Sequence, residues 1–367
     1  MKEPIRILQV VVSMNSGGIE NMLMNLYRTI DRDVIQFDFL LHIDEESFFE
    51  KEIIQLGGRI HRVPALKLTN INNYLKSLDA FFQKENYQCV HSHISVVSYF
   101  VLKIAKKNNV KIRIAHSHEA HDSIWDHPLH KVPFILILRR VINKPLTHRF
   151  ACGRDAGQWL FGKMPFKVIN NAIDAKKFIY DEKIATVEKK KLNLIGKTVF
   201  GNVGRFCAQK NHMFLIDVFE QLHKRINNAH LVLIGDGELK AGIEKRVKEK
   251  KLEQAVSFLG VRKDVYRLLS AIDYILMPSL FEGLPVSLVE AQANGLRVFG
   301  SDKIARETNI TGLIDFIPIH DKTVWVEHIL NNLTYSRENN YNKIVAANYD
   351  IEANAAFLTN FYLNTLN

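Results

Sequence analysis

The sequence predicts two successive open α/β sheets, each parallel and doubly wound by helices. Three observations carry that prediction. Apolar runs of strand length alternate with longer stretches of helical period, which is the pattern of βα units. The pattern breaks at a polar, lysine-rich stretch, residues 174–197, and then starts again. The length, 367 residues, exceeds one ordinary core and points to two or three domains at ~100–200 residues each. Hydrophobic residues make up 47% and charged residues 24%, a balance that excludes disorder and low complexity.

In the first half the strand candidates are Arg6–Val12, Phe37–Ile43, Cys89–His91 and Ile112–His116, with Phe150–Cys152 and Lys167–Ile169 closing the set. Helical periods intervene at Ile19–Ile30, Phe48–Gln55, Ile71–Glu85 and Val96–Lys107. The second half offers Val199–Val203, Ala229–Ile234, Val256–Leu259, Tyr274–Met277 and Leu296–Phe299. The boundary falls near residues 171–197, giving an N-terminal domain over 1–170 and a C-terminal one over 190–350. A final helix, Ile351–Leu366, is apolar on one face and suited to pack back on either domain, the N-terminal one included. In open sheets of this kind a ligand sits at the carboxyl ends of the strands.

The formal net charge is +10, which suits an anionic partner: a phosphate-bearing small molecule, an acidic membrane surface or nucleic acid. The excess is shared, +5 through residue 150 and +5 after it, and the basic residues do not cluster with aromatics, so nucleic acid is disfavoured. Three scattered cysteines, Cys89, Cys152 and Cys207, encode neither a disulfide framework nor a zinc cluster. The N-terminus runs straight into a strand without the apolar stretch of a signal peptide, and no apolar run reaches the ~20 residues that span a bilayer. A cytoplasmic protein is expected.

Four segments carry chemistry. Ser13-Met14-Asn15-Ser16-Gly17-Gly18-Ile19-Glu20 joins the first strand to the first helix; its glycines let backbone approach a ligand at a positive helix end. It is not G-x-G-x-x-G, which disfavours a dinucleotide fold, and a plain capped turn is the competing reading. Ten of the 15 histidines precede residue 150, among them His91, His93, His116, His118 and His121. Imidazoles suit polarising hydroxyls or exchanging a proton near neutral pH. A metal site is disfavoured on the expectation that the two members of each His-x-His pair diverge within a strand, and structural histidines remain an alternative.

The third segment, Gly201-Asn202-Val203-Gly204-Arg205-Phe206-Cys207-Ala208-Gln209-Lys210-Asn211, places two cations in a loop after a buried strand. Arg grips two phosphate oxygens through its fork and Lys acts as a mobile point charge, a combination suited to a diphosphate. The fourth runs from Ser279 to Glu290 through Phe281-Glu282-Gly283-Leu284-Pro285. Pro285 fits a helix first turn, so the Gly283 and Leu284 amides face a phosphate at the helix entrance. Glu282 and Glu290 are spaced to reach hydroxyls at two places on an extended ligand.

Together these residues resemble the retaining nucleotide-sugar glycosyltransferases of the GT-B fold, family 4. The Glu282-x7-Glu290 pair, the Val-Gly-Arg-x4-Lys-Asn segment, Gly235-Asp236-Gly237 and Val168-Ile169-Asn170-Asn171-Ala172-Ile173-Asp174 carry the likeness. The Gly-Gly-Ile-Glu and Arg-Ile-Ala-His-Ser-His segments look most like the subgroup that builds bacterial capsular and extracellular polysaccharides. Ala172 departs from the usual Gly and Cys152 from Ser.

The resemblance implies two Rossmann-like domains facing across a cleft and a UDP-sugar donor. Arg205, Lys210, Gly283, Leu284, Gly17 and Gly18 would meet the diphosphate. Glu290 would hold the ribose, Glu282 the transferred sugar, and Gly260, Val261 and Arg262 the base; Gly235 also falls on the donor side. His116 would stand near the reacting sugar, with His118 and Asn15 on the acceptor side. It implies a saccharide or polyprenyl-diphosphate-linked acceptor, no metal or other cofactor, and association with the inner face of the cell membrane. Lys131–Arg140, which couples apolar and basic residues, fits such a surface, or equally a buried helix with a basic end. The alternatives are a nucleotide-sugar epimerase and a non-catalytic nucleotide-sugar-binding protein.

Overall fold

The computed structural model describes residues 3–15, 17–67, 69–118 and 132–366. Ser16 of the first motif, Glu119 and His121 beside the second histidine pair, and Lys131 of the basic apolar stretch lie outside them. The chain divides into two compact units, Met1–Ala172 with Ile351–Asn367, and Ile173–Asp350.

The first unit is built on strands β1 (Ile5–Val10), β2 (Ile35–Leu41), β3 (Ile60–Arg62), β4 (Cys89–Ser92), β5 (Ile112–Ser117), β6 (His148–Ala151) and β7 (Lys167–Val168). All pair in parallel, in the order β3-β2-β1-β4-β5-β6-β7. Successive residues face opposite sides of a sheet, and β1 shows the result: Ile7 and Leu8 enter different cores. The helices of this unit are α1 (Gly18–Thr29), α2 (Glu50–Gln55), α3 (Ile71–Lys84), α4 (Ser98–Lys107), α5 (Val132–Val141) and α6 (Arg154–Phe161). Leu78 of α3 and Val101 of α4 join Leu8 on one face; Leu23 of α1 and Ile53 of α2 join Ile7 on the other.

The second unit holds β8 (Thr198–Val203), β9 (Ala229–Ile234), β10 (Val256–Gly260), β11 (Tyr274–Met277), β12 (Arg297–Ser301) and β13 (Ile314–Ile317), again all parallel, in the order β10-β9-β8-β11-β12-β13. Its helices are α7 (Glu182–Lys191), α8 (His212–Arg225), α9 (Lys240–Glu249), α10 (Val265–Ala271), α11 (Val286–Ala293), α12 (Lys322–Leu330) and α13 (Tyr341–Ala346). Helices α8, α9 and α12 cover one face through Phe219, Ile243 and Trp325. Leu269 of α10, Leu288 of α11 and Ile344 of α13 cover the other. The last helix, α14 (Ile351–Leu366), returns to the first unit, where Leu358 and Tyr362 pack with α1.

Two strands lie outside the sequence expectation. β3 reads Ile-His-Arg and is partly exposed, so it lacks an apolar run. β13 is interrupted by Asp315, which pairs with Arg297 of β12 at 2.8 Å. Both are edge strands, which need only one paired side.

Candidate active site

Each sheet reverses its winding once, between β1 and β4 in the first unit and between β8 and β11 in the second. Ligands of open α/β sheets bind outside the carboxyl ends of the strands at such a switch point. All four motifs leave strands at or beside these points.

In the second unit β8 delivers Gly204–Lys210 and β11 delivers Ser279–Glu282. The two loops meet: Leu280 N–H donates to the Gln209 carbonyl at 2.8 Å and the Gln209 amide to the Phe281 carbonyl at 3.0 Å. Lys210 Nζ lies 2.5 Å from Glu282 Oε1, their side chains only 12% and 7% exposed. Gly204 makes room for this lysine, since a Cβ there would lie 3.0 Å from Lys210 Cε. Arg205 is different: 73% exposed, it pairs with Glu238 at 3.1 Å and is free to swing. A diphosphate arriving here would compete with Glu282 for Lys210, leaving that carboxylate to accept from sugar hydroxyls.

Pro285 is the N-cap of α11 and Val286 its first residue, one position later than the sequence reading placed the helix start. Glu290 is therefore just over one turn inside α11, between Val289 and Ala291, which face the core. Burial lifts its pKa from 4.5 to about 8, and its side chain makes no ion pair among the described residues. A carboxyl held neutral at pH 7 accepts and donates; ionised by a ligand, it accepts from two hydroxyls. Gly283 is exposed and has open space above it, so backbone there is approachable.

Gly235 has a structural reason beyond any ligand. At φ +143° it lies so close to Gly204 that a Cβ would fall 2.0 Å from that carbonyl oxygen. Its neighbour Gly237 presses on Phe206, whose N–H donates to the Asp236 carbonyl at 2.9 Å. The two glycines thus hold the Arg205–Lys210 loop in place. Gly260 also has positive φ, at +66°, and accepts from Gly235 N–H at 2.9 Å. Val261 is exposed, while Arg262 forks onto Asp264 at 2.7 and 2.8 Å, which leaves backbone as the contact free for a base.

In the first unit, Gly17 is the N-cap of α1, but Glu20 turns its own carboxylate back over this end, where a Gly17 Cβ would meet it at 2.4 Å. Burial raises the Glu20 pKa, opposed by its own backbone N–H. Asn15 is used locally: its Oδ1 accepts from Phe48 N–H at 3.1 Å. Gly18 is open.

The histidines form one cluster, and the expectation that each pair diverges fails. Residues two apart on a strand share a face, so His91 and His93 of the β4 end and His116 and His118 of the β5 end line up side by side. His91 Nε2 lies 3.2 Å from His116 Nδ1, and His93 Nδ1 lies 2.9 Å from His118 Nε2. Burial, then the neighbouring imidazoles, holds His91, His93 and His116 well below the ordinary histidine pKa. Burial takes His118 to about 3 against the pull of Asn171.

His116, expected at the reacting sugar, is inside β5 and 1% exposed. His118, one step past the strand end, is the partly exposed member, although its Nδ1 is buried and its Nε2 faces His93. The sequence reading overlooked Gln9 and Tyr362, which join the cluster; a glutamine within the apolar run of β1 was the available signal.

A pair of doubly wound units with phosphate-suited loops at the second switch point is the architecture of the GT-B fold. Residues 185–312 match the family described as glycosyl transferases group 1. Over 97% of its length the chain is 33% identical to the putative glycosyltransferase EpsF of Bacillus subtilis, covering 96% of that protein. It is 26% identical to a UDP-Gal:alpha-D-GlcNAc-diphosphoundecaprenol alpha-1,3-galactosyltransferase of Escherichia coli, over 80% of this chain and 78% of that one. In fold it matches the Anabaena protein HepE, solved in complex with UDP, with a TM-score of 0.77 at 14% identity, covering 98% of this chain and 100% of that one. The chain belongs to the group 1 glycosyltransferases of the GT-B fold. It is a transferase, and the epimerase and silent-binder alternatives give way.

Proposed function

We propose that this glycosyltransferase moves a hexose or N-acetylhexosamine from a UDP-sugar, with retention of anomeric configuration, to a lipid-linked saccharide during bacterial surface polysaccharide synthesis. The observation that carries the donor half is the buried Lys210–Glu282 pair at the β8/β11 switch point, with Glu290 one turn into α11 behind it. UDP as the nucleotide is supported by the galactosyltransferase and by HepE, one named for UDP-Gal and the other solved with UDP. The lipid-linked acceptor is supported by the diphosphoundecaprenol in the same galactosyltransferase's name and the polysaccharide setting by the staphylococcal capsule protein CapH, 25% identical over 81% of this chain.

In this reading the acceptor hydroxyl attacks the anomeric carbon from the face the diphosphate is leaving. The C1–O bond breaks, its electron pair goes to the β-phosphate, and a phosphate oxygen takes the hydroxyl proton. Lys210 and Arg205 neutralise the developing charge, as do the Gly283 and Leu284 amides. Glu282, released from Lys210, holds sugar hydroxyls and stabilises positive charge at C1, while Glu290 holds the ribose. His118 meets a hydroxyl of the transferred sugar or the acceptor. Cations and amides supply the electrostatics, so the mechanism requires no metal.

Helix α5 supports contact with an anionic membrane. Ile135 and Leu138 enter the core, while Leu136 and Ile137 are 42% and 59% exposed beside exposed Arg140. Among the described residues no helix is long and apolar enough to cross a membrane.

The test is a thermal-shift and calorimetric panel of UDP, GDP and their sugars, followed by mass spectrometry of product formed with lipid extracts. Stabilisation by UDP and mass gain of one sugar on a polyprenyl-linked acceptor are expected. A response to GDP alone, or product with inverted configuration, would refute the donor or the mechanism respectively.

A further inference from the structure

A carboxylate on a loop can hold a reacting sugar only if the loop itself is held. Glu282 ends a segment that leaves β11 at Met277, and two elements grip it. From the β12 side, Ser301 Oγ donates to the Ser279 carbonyl at 2.5 Å and Ala305 N–H donates to the Glu282 carbonyl at 3.0 Å. The two residues in between, Leu280 and Phe281, are gripped from the β8 side by a single residue, Gln209. Its backbone carbonyl accepts from Leu280 N–H and its side-chain amide donates to the Phe281 carbonyl. That partner settles which way the amide faces, because a carbonyl only accepts and the reversed amide would oppose two oxygens. Among the described residues the backbone of Leu280 and Phe281 makes no other hydrogen bond.

The two loops are not built equally firmly. The β8 loop is tied to the segment after β9: Gly204 N–H donates to the Ile234 carbonyl at 3.0 Å, and Phe206 N–H to the Asp236 carbonyl at 2.9 Å. Leu239 N–H returns to the Phe206 carbonyl at 3.0 Å, and Lys210 N–H closes a tight turn on the Cys207 carbonyl at 3.2 Å. Leu280, by contrast, is 43% exposed. Loss of the Gln209 side chain therefore frees the β11 loop and leaves Lys210 in place. The Lys210–Glu282 ion pair is a second tie between the loops. A donor diphosphate that draws Lys210 away releases this tie at the moment Glu282 has to meet the sugar.

We propose that Gln209 is a positioning residue for transfer, clasping Leu280 and Phe281 so that Glu282 keeps its place once the donor has taken Lys210 from it. The inference rests on the reading above, in which Glu282 holds the transferred sugar. The clasp carries no charge, so a diphosphate does not pull it apart as it does the ion pair. It also separates two kinds of binding. UDP has no sugar for Glu282 to hold and depends on the cations, the α11 entrance and Glu290. The reacting sugar depends on the clasp.

The test compares wild type, Gln209→Met and Gln209→Glu as full chains. Methionine keeps the length of the side chain without a donor, and an ionised glutamate keeps its shape but only accepts. Calorimetry with UDP and steady-state transfer with the UDP-sugar and lipid extract of the panel above supply the readouts. Both variants should bind UDP as the wild type does, which also reports an intact fold, and keep the donor KM while kcat falls roughly ten- to a hundredfold. An unchanged kcat would overturn the proposal. So would a loss of UDP affinity in step with kcat, since Gln209 would then be supporting Lys210 and not the Glu282 loop. Failure of the underlying reading shows elsewhere: turnover retained in Glu282→Ala removes the role of the carboxylate, whereas an inactive Glu282→Ala beside a fully active Gln209→Met strikes the clasp alone.

Discussion

Replacing Glu290 by Gln should stabilise the protein at alkaline pH and leave it unchanged at acid pH. The carboxyl's pKa is lifted from 4.5 to about 8 by burial in α11. Below about pH 4.5 both folded and unfolded chains hold the proton, and the folded state bears no cost. Between 4.5 and 8 the unfolded chain releases it while the folded one retains it, so stability falls as pH rises. Above 8 the loss is complete. At 1.36 kcal/mol per pH unit the full span amounts to about 5 kcal/mol. Glu290 is partly accessible, and solvent screening reduces this to roughly 2–3 kcal/mol. For a unit of this size each kcal/mol moves Tm by about 2–4 °C. The Glu290→Gln variant should therefore melt roughly 5–10 °C above wild type at about pH 9, and together with it below about pH 4. The assay is thermal unfolding of both proteins in matched buffers across that range. Other titrating groups cancel in the difference. Parallel Tm curves would refute the claim that Glu290 is held neutral.

The remaining predictions concern binding and packing. UDP binding to the wild type near pH 7 should release protons, because ribose hydroxyls favour the ionised Glu290; calorimetry in buffers of different ionisation enthalpy reads this, and buffer-independent heats would contradict it. Arg205→Ala and Glu282→Ala should each abolish transfer with circular dichroism unchanged, and turnover in either would sink the site assignment. Gly237→Ala drives a Cβ to 2.5 Å from the Phe206 carbonyl oxygen and should cost about 1–3 kcal/mol in urea unfolding while weakening UDP binding. Leu136→Glu with Ile137→Glu should abolish co-sedimentation with anionic vesicles at low salt; equal binding by wild type and variant would argue against α5 as the contact.

Much of the fold was legible because its strands are buried on both faces and read as apolar runs: β1, β2, β8 and β9 stand out for this reason. The edge strands β3 and β13 did not, since an edge tolerates His61, Arg62 and Asp315. The motif loops were legible because glycine, proline and charge in sequence mark a loop. What no local pattern encodes is which side chains meet across the fold. Lys210 and Glu282 were both singled out, yet their pairing is a property of β8 lying beside β11. Which of His116 and His118 is the more exposed turns on where β5 ends, a boundary that differs by a residue or two from any reading of periodicity. Gln9 and Tyr362 come from opposite ends of the chain, and only the sheet brings them to the same histidines.

The return of α14 to the first unit imposes an order on synthesis. Ile351, Ala355, Leu358 and Tyr362 complete a core whose other buried members lie before residue 173. Residues 173–350 must be translated in between, which at roughly 5–20 residues per second takes on the order of ten to thirty seconds. During that interval the α1 face of the first sheet waits without its cover, and His91 without the hydroxyl of Tyr362, while the second unit already has every residue it needs. The part of the molecule made first is thus the part finished last, and a chain ending before residue 351 would hold every residue of the second unit but not of the first.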